Sequence, residues 1–422
     1  MFCKQVFCFI AVLTTTTLFG CGGQDAVKNS LSDSSEIVAT ELNNRFKVGR
    51  PSTLNKKVLI HYLSWFGEGK TGRHWGDGVL NTPIIGYYDS QSWATHLYHI
   101  LLSSALGIDG AVINVRTKYD QESFDKFISS IKRIDDIYPD FTYDISISYD
   151  DQHATINSSK SNFTHLKENT IPSTTHYLHK NEKPIVFIWD YDGYLTSQEY
   201  RDIADSVFTK NSIILLKNEI DSNLTPNEFV MNSFYPWVQG WSDDGSFWGK
   251  DYIEKFYSNL VDIKANNGVE FITGAVWPGF DDRNTIWGQS RWINRKNGAT
   301  YDTMWGMIND KYIDKIDWVI LETWNDFNEG TELEPTNTSE SHHYVKLTAK
   351  NIHRYKGTVS LIDDDMSMFT SATGIYKAAK LIEDGERDYD TFYPKLRSSI
   401  EHYLKTNGEQ SQKLSQEIII GI

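Results

Sequence analysis

Trp318-Val319-Ile320-Leu321-Glu322-Thr323-Trp324-Asn325-Asp326-Phe327-Asn328-Glu329-Gly330 starts as an apolar run and ends as a loop of amides, aromatics and carboxylates. The run is too short for a helix and reads as a fully buried strand. Carboxylates packed among apolar neighbours just past such a strand suit acid–base chemistry. Burial keeps one carboxyl protonated while a second stays ionised. Asp326 and Glu329 are the candidate pair. The same Asp and Asn residues would also suit a strand-to-helix loop that caps the next helix.

Working outward, the same pattern recurs along the chain. Apolar strand-like runs occupy residues 58–66, 110–115, 143–149, 184–189, 212–216, 229–235 and 270–276. Between them lie segments of helical spacing, such as residues 93–107, whose Leu97, Leu101, Leu102 and Leu106 form one stripe stopped by Gly107. Further helices are expected at residues 124–137, 197–207, 251–266, 300–312 and 343–355. Eight near-continuous apolar strands alternating with helices predict a parallel sheet covered on both faces. A closed (β/α)8 TIM barrel is the simplest such sheet. A doubly wound open sheet is the competitor, but no Gly-x-Gly-x-x-Gly turn follows the first strand. Polar and aromatic residues gather after the strands, the end that carries the site in barrels.

The 422 residues carry a formal net charge of −15 and offer no basic stripe for phosphates, which argues against a nucleic-acid partner. Aromatics make up 14% of residues, and many of the 13 Trp stand beside Asp, Asn or Arg, as ring platforms for sugars do. Residues 6–18 form a short apolar segment ending in Leu18-Phe19-Gly20-Cys21, a secretory signal rather than a membrane span. That tetrapeptide resembles a bacterial lipobox, which implies lipidation of Cys21 after cleavage. Cys3 and Cys8 would leave with the signal, so the mature chain would hold no thiol nucleophile or thiolate zinc site. The expected organisation is a signal at residues 1–20, a polar tether at 21–50, the barrel at 51–360 and a C-terminal helical extension packed on it at 361–422. A lipid-anchored, envelope-located monomer follows.

Two stretches resemble the clan of glycoside hydrolases containing family 99 (endo-α-mannosidases and endo-α-mannanases) and family 71 (α-1,3-glucanases). One is Pro278-Gly279-Phe280-Asp281-Asp282, continued by Arg291, Arg295, Asn297-Gly298 and Tyr301-Asp302. The other runs from Trp324 to Pro335, and His74-Trp75 after the first strand fits as well. The resemblance covers residues 57–357 and is closest to family 99. It implies hydrolysis of an α-linked glycan, of α-mannan type first and α-glucan second, by an endo-acting enzyme that needs no cofactor. By position, Glu329 would be the general acid and Asp326 the base. Family 99 usually carries two glutamates three apart here. An Asn-Asp-x-x-Glu order is closer to family 71. The first implies attack by the sugar's own 2-hydroxyl with retention, the second attack by water with inversion. The shorter Asp side chain leaves room for that water.

Other strand ends supply substrate-binding candidates: His74, Trp75, Asp150, Asp190, Tyr235, Trp237, Trp277 and Asn325, with Asp151, Asp192 and Trp65 behind them. The acidic residues would equally cap helices, the aromatics close the barrel top, and Arg291 and Arg295 hold the loop through carboxylate pairs. No His-Glu-x-x-His or other metal-ligand spacing occurs, so no metal or cofactor is expected. Two rival readings are a non-catalytic glycan-binding lipoprotein and a glycan-modifying protein acting in assembly.

Overall fold

The computed structural model describes residues 56–422, apart from residues 191–192, 222–223, 226–227, 339, 359 and 363–365. Cys21, the signal, the tether and Asp192 lie outside the described residues. Eight parallel strands form the barrel wall: β1 (Lys57–Leu63), β2 (Gly110–Val115), β3 (Asp144–Asp150), β4 (Lys183–Trp189), β5 (Ile214–Asn218), β6 (Ser233–Tyr235), β7 (Thr273–Val276) and β8 (Trp318–Leu321). Their order in the sheet is β6-β5-β4-β3-β2-β1-β8-β7. The remaining seam, between β6 and β7, is joined without a regular ladder. Glu270 N donates to Asn232 O at 2.8 Å, Ser233 Oγ to Phe271 O at 2.7 Å, and Thr273 Oγ1 to Phe234 O. The chain is a (β/α)8 barrel.

Six helices cover the wall in the first part of the chain: α1 (Trp93–Ala105), α2 (Lys118–Asp135), α3 (Ile156–His165), α4 (Ser197–Val207), α5 (Lys250–Ala265) and α6 (Ala299–Gly306). α7 (Ser341–Lys356) follows the last strand. Thr117, Thr155 and Thr196 each close a reciprocal capping box with the residue three positions on, so α2, α3 and α4 begin where their polar first turns do. α2 therefore starts six residues before its first buried apolar residue, Phe124.

Alternation along the strands sorts side chains between two layers. Leu59, Val112, Ile185, Phe187, Trp318 and Ile320 fill the barrel interior, whereas Val58, Ile60, Ile145, Ile147, Val186 and Val319 pack against the helices. Continuing each period of two to the C-terminal ends sends His61, Asn114, Asp150 and Glu322 inward. It sends Asp151 and Asp190 outward. At the other end, Lys180 lies over the rings of Phe271 and Trp318, at 5.1 and 5.6 Å from their centroids.

Three more helices, α8 (Ser367–Glu383), α9 (Tyr389–Leu404) and α10 (Gly408–Ile420), pack together, with α8 also against α1. Their junction is a buried cluster of hydroxyls: Ser371 Oγ donates to Ser411 Oγ at 2.7 Å, and Ser399 Oγ lies 2.8 Å from Ser415 Oγ. α10 occupies residues that the apolar pattern leaves unassigned, because its buried face is Gly408, Ser411, Ser415 and Ile418.

Candidate active site

The loop after β8 is built by its own polar side chains. Asn325 acts as a staple to the end of β1: its Oδ1 accepts from Leu63 N at 2.8 Å and its Nδ2 donates to Leu63 O at 2.9 Å and Tyr88 Oη at 3.0 Å. Asn328 Nδ2 donates to the carbonyls of His74 and Gly78, both at 2.8 Å. The loop then folds back, Thr323 N donating to Thr331 O at 3.1 Å and Leu333 N to Trp324 O at 2.9 Å. Gly330 makes the reversal at φ 62°, where an added Cβ would lie 3.1 Å from the Asp281 backbone.

This scaffold holds Asp326 and Glu329 at the C-terminal mouth. Asp326 is buried, and its Oδ1 accepts from Asn328 N at 3.1 Å and Glu329 N at 2.9 Å. Glu329 keeps partial access to solvent. Burial raises the Asp326 carboxyl above the usual range and nearby Glu332 adds to this, against the two amides and His61. Burial also raises Glu329; Asp326, Asp282 and Asp150 push it further up and Arg291 opposes them. Such a pair carries a proton at pH values where exposed carboxyls are bare.

The two arginines of the preceding motif serve the loop. Arg291 Nε donates to Asp282 Oδ2 at 2.7 Å, with its guanidinium 4.4 Å from the Trp241 ring centroid. Arg295 donates to the carbonyls of Gly330 and Glu332, both at 3.0 Å, and pairs with Glu332 Oε1 at 2.8 Å. Asp281 N donates to Glu329 O at 2.6 Å, so the two sequence motifs meet in one structure.

The other candidates divide. Asp150 points inward, and burial raises its carboxyl while Arg116 counters. Trp237 sets its ring 4.8 Å from that of His61, edge-on. His74 lies on the rim with Trp65 at 4.7 Å and half-exposed Trp287 at 5.9 Å, between ring centroids. Burial and Arg73 lower its pKa, against Asp77, whose Oδ2 lies 3.0 Å from His74 Nδ1. Tyr235 is wholly buried in the barrel interior, its hydroxyl donating to Ile188 O at 3.2 Å. Trp75 is buried flat against Phe66, centroids 3.9 Å apart, and its Nε1 donates to Tyr88 O. Trp277 is buried in the helix layer and donates to Trp248 O at 3.2 Å. Asp190 turns outward to Gly193 N at 2.9 Å and Lys217 Nζ at 3.6 Å. Asp151 accepts from Ser159 Oγ at 3.1 Å. Trp75, Trp277 and Asp190 thus hold loops and strand ends instead of lining the mouth.

Sequence reasoning passed over His61 and Glu322. They face each other across the β1–β8 seam, Nδ1 to Oε2 3.4 Å, and both are buried. Strand parity was the signal that finds them: each lies two residues beyond an interior leucine or isoleucine, Leu59 and Ile320. A cavity of about 830 Å³ opens at the opposite end of the barrel among Lys180, Arg201, Asp205 and Glu270, away from the acidic pair. Among the described residues, no group of three or more His, Cys, Asp or Glu side chains is arranged to hold a metal ion.

Replacing Asn325 by alanine would leave both backbone groups of Leu63 without their side-chain partner. A loss of about 1–3 kcal/mol in unfolding free energy is expected, read by denaturant titration.

Neither a protein-family model nor a curated protein matches the chain. Solved structures do. A GH99 endo-alpha-mannosidase from Bacteroides thetaiotaomicron in complex with Bis-Tris-propane aligns with TM-score 0.58 at 17% identity, over 71% of this chain and 97% of that one. Another structure of a GH99 endo-alpha-mannosidase from the same organism gives 0.57 at 16% identity, with the same coverage. A glycoside hydrolase-like protein gives 0.51 at 14% identity, over 74% of this chain and 99% of that one. In fold, this chain is a (β/α)8 barrel similar to those of GH99 endo-alpha-mannosidases.

Proposed function

We propose that the chain is a glycoside hydrolase that cleaves an α-linked glycan, with α-mannan as the first substrate class and internal bonds as the point of attack. The observation that carries this reading is the Asp326–Glu329 pair, held by one stapled loop at the barrel mouth with both carboxyls raised. Glu329, the more accessible, protonates the glycosidic oxygen as its bond to the anomeric carbon breaks. Asp326 removes the proton from the attacking hydroxyl. Inward-facing Asp150 adds negative field beneath a sugar that becomes cationic in the transition state. The fold shared with GH99 endo-alpha-mannosidases supports the choice of α-mannan. The lipobox-like Leu18–Cys21 would tether this activity to the envelope.

One observation favours inversion as a second reading. Asp326 is short, and its Oδ1 is drawn back onto the amides of Asn328 and Glu329. That retreat makes room for a water between carboxylate and sugar. NMR of the first products separates the routes: an initial α-anomer means retention through the 2-hydroxyl, an initial β-anomer means inversion through water.

The raised carboxyls also set the pH profile. Turnover requires Asp326 ionised and Glu329 protonated, so it falls at low pH as Asp326 takes a proton and at high pH as Glu329 loses one. With both raised, the optimum of kcat/KM should stand well above the ordinary carboxyl range of about 4. An optimum at or below that range contradicts the assignment.

A further inference from the structure

Among the described residues, Glu322 is the least supported of the buried carboxylates. Its side chain is fully buried, and neither oxygen receives a well-aligned hydrogen bond from the described residues. Its polar partner is His61 Nδ1, 3.4 Å from Oε2. An unpaired buried carboxylate is too costly to persist, and burial raises the Glu322 carboxyl while His61 opposes the rise, so the pair must hold a proton: on the carboxyl, between the two groups, or as an imidazolium facing a carboxylate. Two features join this pair to the reacting loop. His61 O accepts from Trp324 N at 2.8 Å, two residues before Asp326. The His61 ring is fixed edge-on to Trp237, which holds the ring at one place under the mouth.

Other titratable groups surround the ring. Glu322 faces it from β8 and Asp326 from the loop above. Tyr235 faces it from β6, centroids 6.4 Å apart. Asp150 on β3 and Glu219 after β5 act on Tyr235 from farther out. All are anionic or neutral. His61 is therefore the group in this set able to offset the charge of Asp326, since a charge on its ring would lower the pKa of that carboxyl.

We propose that Glu322 is a positioning residue that keeps a proton on His61 beneath Asp326, so that the base is ionised when the glycan arrives. This deepens the hydrolase reading and rests on Asp326 being the base. Glu322 acts through His61 and touches no reacting atom. Removing either member should have the same consequence for Asp326, and removing both should add nothing.

The first test does not need turnover. In the full chain labelled with 15N-histidine, the His61 signals are assigned by their loss in His61→Gln. They should show an imidazolium at pH 6–7 in the wild type, a range about the ordinary histidine pKa, and a neutral ring in Glu322→Gln. A neutral His61 in the wild type overturns the proposal. The second test uses the glycan that the wild type hydrolyses. Glu322→Gln and His61→Gln should each move the acidic limb of kcat/KM to higher pH by a similar amount, and the double variant should move it no further. Unchanged limbs, or shifts that add, overturn the proposal while leaving the hydrolase reading intact. A wild type that hydrolyses no α-glycan removes the hydrolase reading itself, and the proposal with it. Thermal unfolding of each variant separates these effects from misfolding. If Glu322→Gln does not fold, the wild-type NMR signal and the His61→Gln profile still decide.

Discussion

Glu329→Gln should lower kcat on an unactivated α-glycan by about 10²–10⁴-fold while leaving glycan binding in place. The amide fills nearly the same volume but has no proton to give to the departing oxygen. The loss should therefore depend on the leaving group: an aryl glycoside that departs as a stable phenolate needs little protonation and should be hydrolysed much closer to the wild-type rate. A binding protein has no turnover to lose, so this contrast also separates the enzyme from that rival. Stability should change in the opposite direction. Because the folded state raises the Glu329 carboxyl, it binds more protons than the unfolded chain, and the wild type loses stability as pH rises through the folded pKa. Glutamine avoids that loss. The variant should melt at a higher temperature than the wild type above neutral pH, with the gap closing as pH falls.

Asp326→Asn should cost a similar factor, about 10²–10⁴ in kcat, for a different reason. Asparagine can still present an oxygen to the amides of Asn328 and Glu329, which hold Oδ1 at 3.1 and 2.9 Å, so the loop should keep its shape. What disappears is the base. The Asp326 charge also helps to raise Glu329. Without it Glu329 should ionise earlier, and the residual activity should fall off at lower pH on the alkaline side than in the wild type. A lost base with an unmoved alkaline limb would mean that the two carboxyls are not coupled.

Much of this was legible in the chain. The wall strands are short apolar runs with turn residues after them, and buried parallel strands leave that trace. The acidic pair was visible because Trp324, Asn325, Phe327 and Asn328 crowd it directly after such a run. Less legible was which strand-end side chains face the mouth. Asp150 and Asp190 look alike in sequence, but the first stands at an inward position of its strand's alternation and the second at an outward one. Trp75 and Trp277 have polar neighbours, yet their rings are buried and their indole N–H groups meet backbone carbonyls. His61 and Glu322 were hidden inside an apolar run and at its edge, where a polar residue reads as an interruption. α10 was hidden for another reason: serines and a glycine make its inner face, so hydrophobic periodicity does not mark it.

The most direct measurement is digestion of a panel of α-mannans and α-glucans by the full chain, with products read by NMR within the first minutes. New reducing ends from an α-mannan, absent with Glu329→Gln, are the predicted result. Measurable binding with no product from any member of the panel would contradict the account and leave a barrel that holds glycans without cutting them.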